Sequence, residues 1–179
     1  MVANIRSGSS PGGALYYNKE KVDKDEAEVL FWQKMLEPFD KHGRMDVDAC
    51  MESFLPYLEA NRRTKNPVFH ASLNPAPEDR LTNDELRQIA REYMERMGYG
   101  AQPCFVFLHE DIERRHIHIV SLRVGLDGRK LAHDFEARRS REILDALERH
   151  YGLRPAAEGD AKQTYDTLSK LDYTKSDFK

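Results

Sequence analysis

The stretch PCFVFLHEDIERRHIHIVSLRV, residues 103–124, decides the fold, because it predicts two apolar strands joined by a charged turn. The first strand covers 105–108 and the second covers 116–124. Both are rich in aromatic or β-branched residues, and Pro103 and Gly125 bound them. Strands this close in sequence favour a β-hairpin.

Three of the seven histidines fall in this hairpin. His116 and His118 are two residues apart on a strand, so their side chains point to the same face. His109 lies where the first strand runs into the turn and is opposite them if the strands pair, with cross-strand Cβ atoms about 4.5–5.5 Å apart. Because neutral imidazole binds transition metals, the pattern predicts one metal ion held by His109, His116 and His118. The alternative is three core or solvated histidines.

Helices and strands alternate through the rest of the chain. Ser9 or Ser10 before Pro11 is typical of a helix start, and Thr82 with Glu85 forms a capping box. The patterns predict helices over 14–22, 46–58, 82–97 and 135–150, and strands over 1–5, 27–32 and 67–73. With the hairpin, the order is β-α-β-α-β-α-β-β-α. It indicates an α+β fold with a central antiparallel or mixed sheet covered by helices.

Composition limits the function classes. The net charge of -3 over 179 residues argues against a protein whose overall field attracts nucleic acid, so any DNA contact must come from a local patch. Cys50 and Cys104 lack metal or redox spacing and predict reduced thiols in a cytosolic protein. No apolar run is long enough to insert into a membrane, and the N-terminus lacks the apolar region of a signal peptide. Apolar content falls after residue 153, so we predict one domain over 1–153 and a charged tail over 154–179.

A metal with open positions acts as a Lewis acid on a phosphoryl oxygen, and such chemistry needs a nucleophile. Tyr16 and Tyr17, on a helix after a Gly-rich loop, are the most distinctive hydroxyl-bearing pair. The alternative is that they are core tyrosines with a hydrogen bond. Asp111, just after His109, suits a carboxylate that fixes a ligand tautomer, or is an ordinary turn residue.

The motifs together resemble the HUH endonucleases, and most closely the MobP-type relaxases that start plasmid or mobile-element transfer. His109 to His118 reads H-E-D-x4-H-x-H, similar to their third motif. LYYNKEKV at 15–22 resembles the first motif and FHASLNP at 69–75 the second. The resemblance covers about residues 2–150, and the family's members are generally longer than this chain.

The resemblance implies a ferredoxin-like palm and a site- and strand-specific nick at a transfer origin. Tyr17 would attack the scissile phosphate and form a 5′-phosphotyrosine, with Asp111 orienting a ligand or accepting the tyrosine proton. The three histidines would hold one divalent ion, Mg or Mn by family precedent, with Zn compatible. Ser72 belongs to the second motif and is expected to contact DNA. The candidate phosphate contacts are Lys19, Lys21, Arg62, Arg63 and Arg123, and the favoured alternative for any single one of them is solvated surface charge.

The implied partners are single-stranded DNA of the transfer origin, accessory mobilisation proteins and a coupling protein, in the bacterial cytoplasm. Two rival interpretations stay open. A histidine-triad-like nucleotide hydrolase also carries alternating histidines, although Val120 occupies the third alternate position here. A non-catalytic DNA-binding module would keep the metal for stability alone.

Overall fold

The computed structural model describes residues 1–111 and 114–156, and these form a five-stranded sheet with four helices. The order β-α-β-α-β-α-β-β-α and the α+β class are confirmed. The elements are β1 Val2–Gly8, α1 Pro11–Asp23, β2 Ala27–Gln33, α2 Val47–Ala60, β3 Val68–Asn74, α3 Asn83–Met97, β4 Cys104–His109, β5 His116–Leu122 and α4 Glu136–Tyr151.

The strands lie in the order β1-β3-β5-β4-β2, and every neighbouring pair is antiparallel. The sheet is therefore antiparallel, and the mixed alternative does not occur among the described residues. β4 and β5 form the predicted hairpin, with His109 directly opposite His116 and Phe107 opposite His118. β1 is an edge strand, while β3 and β5 are buried along their whole lengths.

Each face of the sheet has its own apolar core. Alternation along β5 sends Ile117 and Ile119 towards α3 and α4, and His116, His118 and Val120 towards α1 and α2. α1 and α2 cover the second face with fully buried side chains that include Leu15 and Phe54. The histidines therefore share a face with α1, which carries the tyrosine pair.

Local signals explain most element ends. Ser10 caps α1 through a hydrogen bond from the Gly12 amide, with Pro11 in the first turn, so the helix begins three residues before the predicted residue 14. The Thr82–Glu85 capping box is present at α3. β5 ends at Leu122 instead of the predicted Val124, because Val124 pairs with Lys130 in a separate turn.

Cys50 and Cys104 are buried free thiols, as predicted. Most of the predicted tail, from residue 157 onward, lies outside the described residues. Among the helices of the described ranges, none is both long enough and apolar enough to cross a membrane.

Candidate functional site

His109, His116 and His118 converge at the open end of the β4–β5 hairpin. Each offers a ring nitrogen within 4.8 Å of those of the other two. All three side chains are buried, with at most 3% exposure. The hairpin register produces this cluster, since cross-strand and alternate positions on one face are near neighbours.

Each imidazole has one nitrogen engaged by a neighbouring group. Nε2 of His109 lies 2.7 Å from Oδ1 of Asn18, whose own amide nitrogen donates to the Ala14 carbonyl. That second bond fixes the amide orientation, so His109 donates through Nε2. Nδ1 of His116 lies 3.3 Å from the Arg114 carbonyl and donates to it. Nδ1 of His118 lies 3.1 Å from Nε2 of His70 on β3.

The remaining nitrogens fit a metal ion. Nδ1 of His109 and Nε2 of His118 are buried and have no hydrogen-bond partner in the described ranges. Buried polar atoms are rarely left unpaired without a reason, and metal-bound histidines usually donate their other nitrogen to a fixed acceptor. The cluster has both features and can hold one ion.

Burial also keeps these rings neutral, which metal binding requires. Desolvation first, and then the neighbouring His116, lower the pKa of His109 to about 3. Burial lowers the pKa of His116 and takes that of His118 well below its ordinary value. The nitrogen lone pairs are therefore available at neutral pH.

Tyr17 and Tyr16 point into different surroundings. The Tyr17 ring centroid lies 6.0 Å from that of His109, with the rings inclined by 28°, and 6.4 Å from that of His118. Tyr16 is 58% exposed and lines a separate surface depression. Successive helix residues point about 100° apart, so only Tyr17 lies beside the histidines.

Lys21 and Asp111 form an ion pair at the edge of the cluster. Nζ of Lys21 lies 2.9 Å from Asp111 and 2.7 Å from Glu26. It also lies 6.0 Å from the Tyr17 ring centroid. Burial opposes both charges, but the hydrogen bonds between the partners raise the pKa of Lys21 and lower that of Asp111. Two carboxylates therefore already pair with the Lys21 ammonium, and its phosphate contact stays a prediction.

Asp111 also faces the histidines. Its Oδ1 lies 3.8 Å from Nε2 of His116 and has no hydrogen-bond partner among the described residues. A carboxylate oxygen and an imidazole lone pair repel each other unless a proton or a cation lies between them. Asp111 therefore adds negative charge where the cluster can hold a cation.

Arg123 lies away from the cluster and is 2% exposed. Its guanidinium makes two bonds to Glu136, of 2.5 and 3.0 Å, and a third of 2.9 Å to the Tyr99 hydroxyl. These donors connect the end of β5 to α4 and to Tyr99, which follows α3, and the phosphate contact of Arg123 stays a prediction. Sequence alone could not distinguish an exposed strand-end arginine from this buried one.

Ser72 is directly opposite His118 on β3 and is 4% exposed. Its hydroxyl accepts a hydrogen bond of 3.2 Å from Asn74. Its DNA contact stays a prediction.

Sequence reasoning missed Asn18 and His70 as functional residues. Asn18 is fully buried and His70 is 7% exposed, and each contacts a metal-ligand candidate. Two signals pointed to them: Asn18 lies in the first motif, and His70 is two residues before Ser72 and so shares its face. The pairing of β3 with β5, which local patterns do not reveal, was needed to connect His70 to His118.

Comparison with known families agrees with this geometry. A family model described as "Relaxase: MobA/VirD2-like, nuclease domain" matches residues 17–153, which is more than half of the chain. The matched range includes Tyr17 and the three histidines. A search of curated proteins gave no match. The chain therefore belongs to the MobA/VirD2-like relaxase nuclease-domain family.

Proposed function

We propose that this domain nicks one DNA strand at a transfer origin through a covalent bond to Tyr17. The observation that carries the proposal is the position of the Tyr17 ring over the three-histidine cluster, with Tyr16 turned to solvent. Family membership supports DNA nicking for mobilisation as the general activity. The phosphotyrosine step and the choice of tyrosine are the parts that we add.

In this reaction the Tyr17 hydroxyl oxygen attacks the scissile phosphorus. A bond from that oxygen to phosphorus forms, and the bond from phosphorus to the 3′ oxygen breaks. The product strand carries a 5′-phosphotyrosyl link, and the other strand end leaves as a 3′-hydroxyl after taking up a proton. The phosphodiester energy is kept in the new bond, so rejoining needs no ATP.

His109, His116 and His118 would hold one divalent cation, which withdraws charge from the phosphate oxygens. Mg or Mn follows from the resemblance to the MobP-type relaxases, while an all-imidazole donor set also suits Zn. Asn18 accepts from Nε2 of His109 and so leaves the Nδ1 lone pair of that ring facing the cluster. His70 would do the same for His118 by accepting from its Nδ1, which the distance of 3.1 Å between the two nitrogens supports.

Tyrosine ionises with a pKa of about 10, so attack at neutral pH needs help with the phenol proton. Lys21 supplies a positive charge beside the ring, which stabilises a phenolate. Asp111 holds Lys21 and faces His116, so it acts on charge and ligand orientation, and proton acceptance is its other candidate role. Ser72, beside His118, is proposed to contact the bound strand.

The substrate is single-stranded or locally melted DNA of the transfer origin, because in-line attack needs one accessible phosphate. Accessory mobilisation proteins and a coupling protein in the bacterial cytoplasm are the further partners that we propose. The histidine-triad alternative loses support, because Val120 is buried in the core beneath α1 and α2.

The test compares Tyr17→Phe with the matched control Tyr16→Phe, since each removes one hydroxyl from adjacent positions. Each protein is incubated with a transfer-origin oligonucleotide and Mn²⁺, and the covalent adduct is separated under denaturing conditions. We expect Tyr17→Phe to lose the adduct while its metal affinity and melting temperature stay near wild type. Tyr16→Phe should keep most activity.

Peptide mass spectrometry of the adduct gives the attached residue directly. An adduct on Tyr16, or undiminished nicking by Tyr17→Phe, would overturn the nucleophile assignment and leave the metal centre intact. Hydrolysis of nucleotides that does not depend on Tyr17 would favour the histidine-triad alternative. DNA binding without any adduct would favour the non-catalytic module.

A further inference from the structure

A second polar cavity lies at the end of the sheet opposite His109 and His116. Its volume is about 1000 Å³, and it is open to solvent. The loop after α2 forms one wall, and the turn after β5 forms the other. We call it the basic groove, and its main lining residues are Asn61, Arg62, Arg63, Lys65, Gly128 and Lys130.

The charge of this groove contrasts with the net charge of -3 of the whole chain. Arg62, Arg63, Lys65 and Lys130 are exposed, and the described residues provide no ion pair to any of these four cations. Many basic side chains elsewhere pair with carboxylates four residues away. Of the two acidic groups that line the groove, Asp127 lies 3.8 Å from an arginine outside it. The groove therefore presents an excess of uncompensated positive charge.

Hydrogen bonds hold the two walls together. The Asn61 side chain donates to the Gly128 carbonyl at 2.9 Å and accepts from the amides of Arg63 and Thr64 at 3.0 and 3.1 Å. Gly128 has φ of +76°, and a Cβ atom there would lie 2.8 Å from the Ala60 carbonyl oxygen. The loop that carries the cations is therefore fixed before any ligand binds, which lowers the entropy cost of binding.

The groove is connected to the histidine cluster along β1 and β3. His70, which contacts His118, pairs with Arg6, and the next residue, Ser7, lines the groove. Along β5 the groove-lining Arg123 is five residues from His118, a span of about 16 Å at about 3.3 Å per residue.

We propose that the basic groove binds the phosphodiester backbone of the same DNA strand whose scissile phosphate lies at Tyr17. This inference rests on the proposed function. A span of about 16 Å corresponds to about five phosphates at the stacked spacing of about 3.4 Å, and to fewer in an extended strand. Cations that contact phosphates do not distinguish one base from another. The groove therefore adds affinity and fixes the path of the strand, and contacts to the bases outside the groove give sequence specificity.

The test measures binding of a fluorescent dT20 oligonucleotide by anisotropy at several salt concentrations. The groove variant is Arg63→Ala with Lys65→Ala. The matched control is Lys41→Ala with Arg149→Ala, which also removes one lysine and one arginine from exposed positions without ion pairs in the described structure. All four changes are on the surface, and thermal unfolding checks that both variants fold.

Each lost phosphate contact on a single strand lowers the slope of log K against log salt by about 0.7. We therefore expect the groove variant to lose about 1.4 of the wild-type slope and the control to lose almost none. In nicking assays the groove variant should show a raised KM and an unchanged kcat, because it keeps Tyr17 and the histidines.

The outcomes separate this proposal from the proposed function. A wild type that forms the Tyr17 adduct, with equal salt slopes for wild type and groove variant, would overturn the groove alone. Equal losses in both variants would also overturn it, since they would reflect total charge. The same titrations are run with a labelled duplex hairpin, and a slope loss in the groove variant with the hairpin but not with dT20 would identify a paired stem as the occupant and refute the single-strand assignment. No DNA binding by the wild type would overturn both proposals.

Discussion

The hydrogen bond between Asn18 and His109 provides the most direct test of the metal centre. Asn18→Leu keeps the approximate volume of the side chain but removes the oxygen that accepts from Nε2 of His109 at 2.7 Å. The His109 ring is then free to change tautomer or to rotate, so its Nδ1 lone pair is no longer held towards the cluster. Loss of such a supporting group typically weakens metal binding by about 10- to 100-fold, equal to about 1.4–2.7 kcal/mol.

The matched control is Asn18→Asp. Both substitutions remove the amide that donates to the Ala14 carbonyl, so that loss cancels in the comparison. Only aspartate keeps an oxygen where His109 needs its acceptor. We therefore expect Asn18→Asp to bind Mn²⁺ at least as tightly as the wild type, since its charge also favours a cation.

Isothermal titration calorimetry with Mn²⁺ at pH 7.5 measures the affinities. Urea unfolding without metal measures the free energy of unfolding of each variant. In Asn18→Leu the buried N–H of His109 is left unpaired, which costs about 1–3 kcal/mol. Metal binding is therefore compared at a temperature where both variants are folded. Wild-type affinity in Asn18→Leu would refute the reasoning. Equal losses in the leucine and aspartate variants would show that packing, and not the acceptor, is responsible.

Two further predictions concern stability. Burial lowers the pKa of His109 from 6.5 to about 3, so the unfolded chain binds protons before the folded protein does. The free energy of unfolding should therefore fall as the pH drops below about 6.5, by up to about 1.4 kcal/mol per pH unit for each such histidine. An equal Tm at pH 7 and pH 5, both measured without metal, would contradict this prediction. Gly43 and Gly128 both have φ of +76°, but only at Gly128 would a Cβ meet a carbonyl oxygen, at 2.8 Å. Gly43→Ala should cost about 1 kcal/mol in urea unfolding and Gly128→Ala clearly more, whereas equal costs would show that the contact is tolerated.

Local patterns alone predicted the hairpin that carries the three histidines. The strand period of two, the charged turn and the flanking Pro103 and Gly125 are all close in sequence. These features fix which side chains share a face, so the convergence of His109, His116 and His118 followed without any long-range information. The capping residues Ser10 and Thr82 likewise lie directly before α1 and α3, although the predicted range of α1 began at residue 14 and the helix begins at Pro11.

The choice of Tyr17 depended on both the sequence and the tertiary structure. The resemblance to a relaxase motif indicated Tyr17, and helix geometry indicated that only one of the pair can face a given point. Which of them faces the histidines depends on how α1 packs on the sheet, and the structure gives that packing.

Only the tertiary structure decided the surroundings of these residues. His70 meets His118 because β3 is inserted between β1 and β5, far apart in sequence, and periodicity carries no record of strand order. Arg123 and Lys21 were expected to contact DNA, yet the fold brings Glu136, Glu26 and Asp111 to them, and ion pairing depends on such distant partners. The same holds for the basic groove, because its two walls are more than sixty residues apart in the chain and are joined by the hydrogen bond from Asn61 to the Gly128 carbonyl. Spacing in the sequence determined the chemistry that the hairpin offers. Long-range strand and helix packing determined which side chains remain free to use it, because contacts between distant segments are set by the whole core and not by any one stretch.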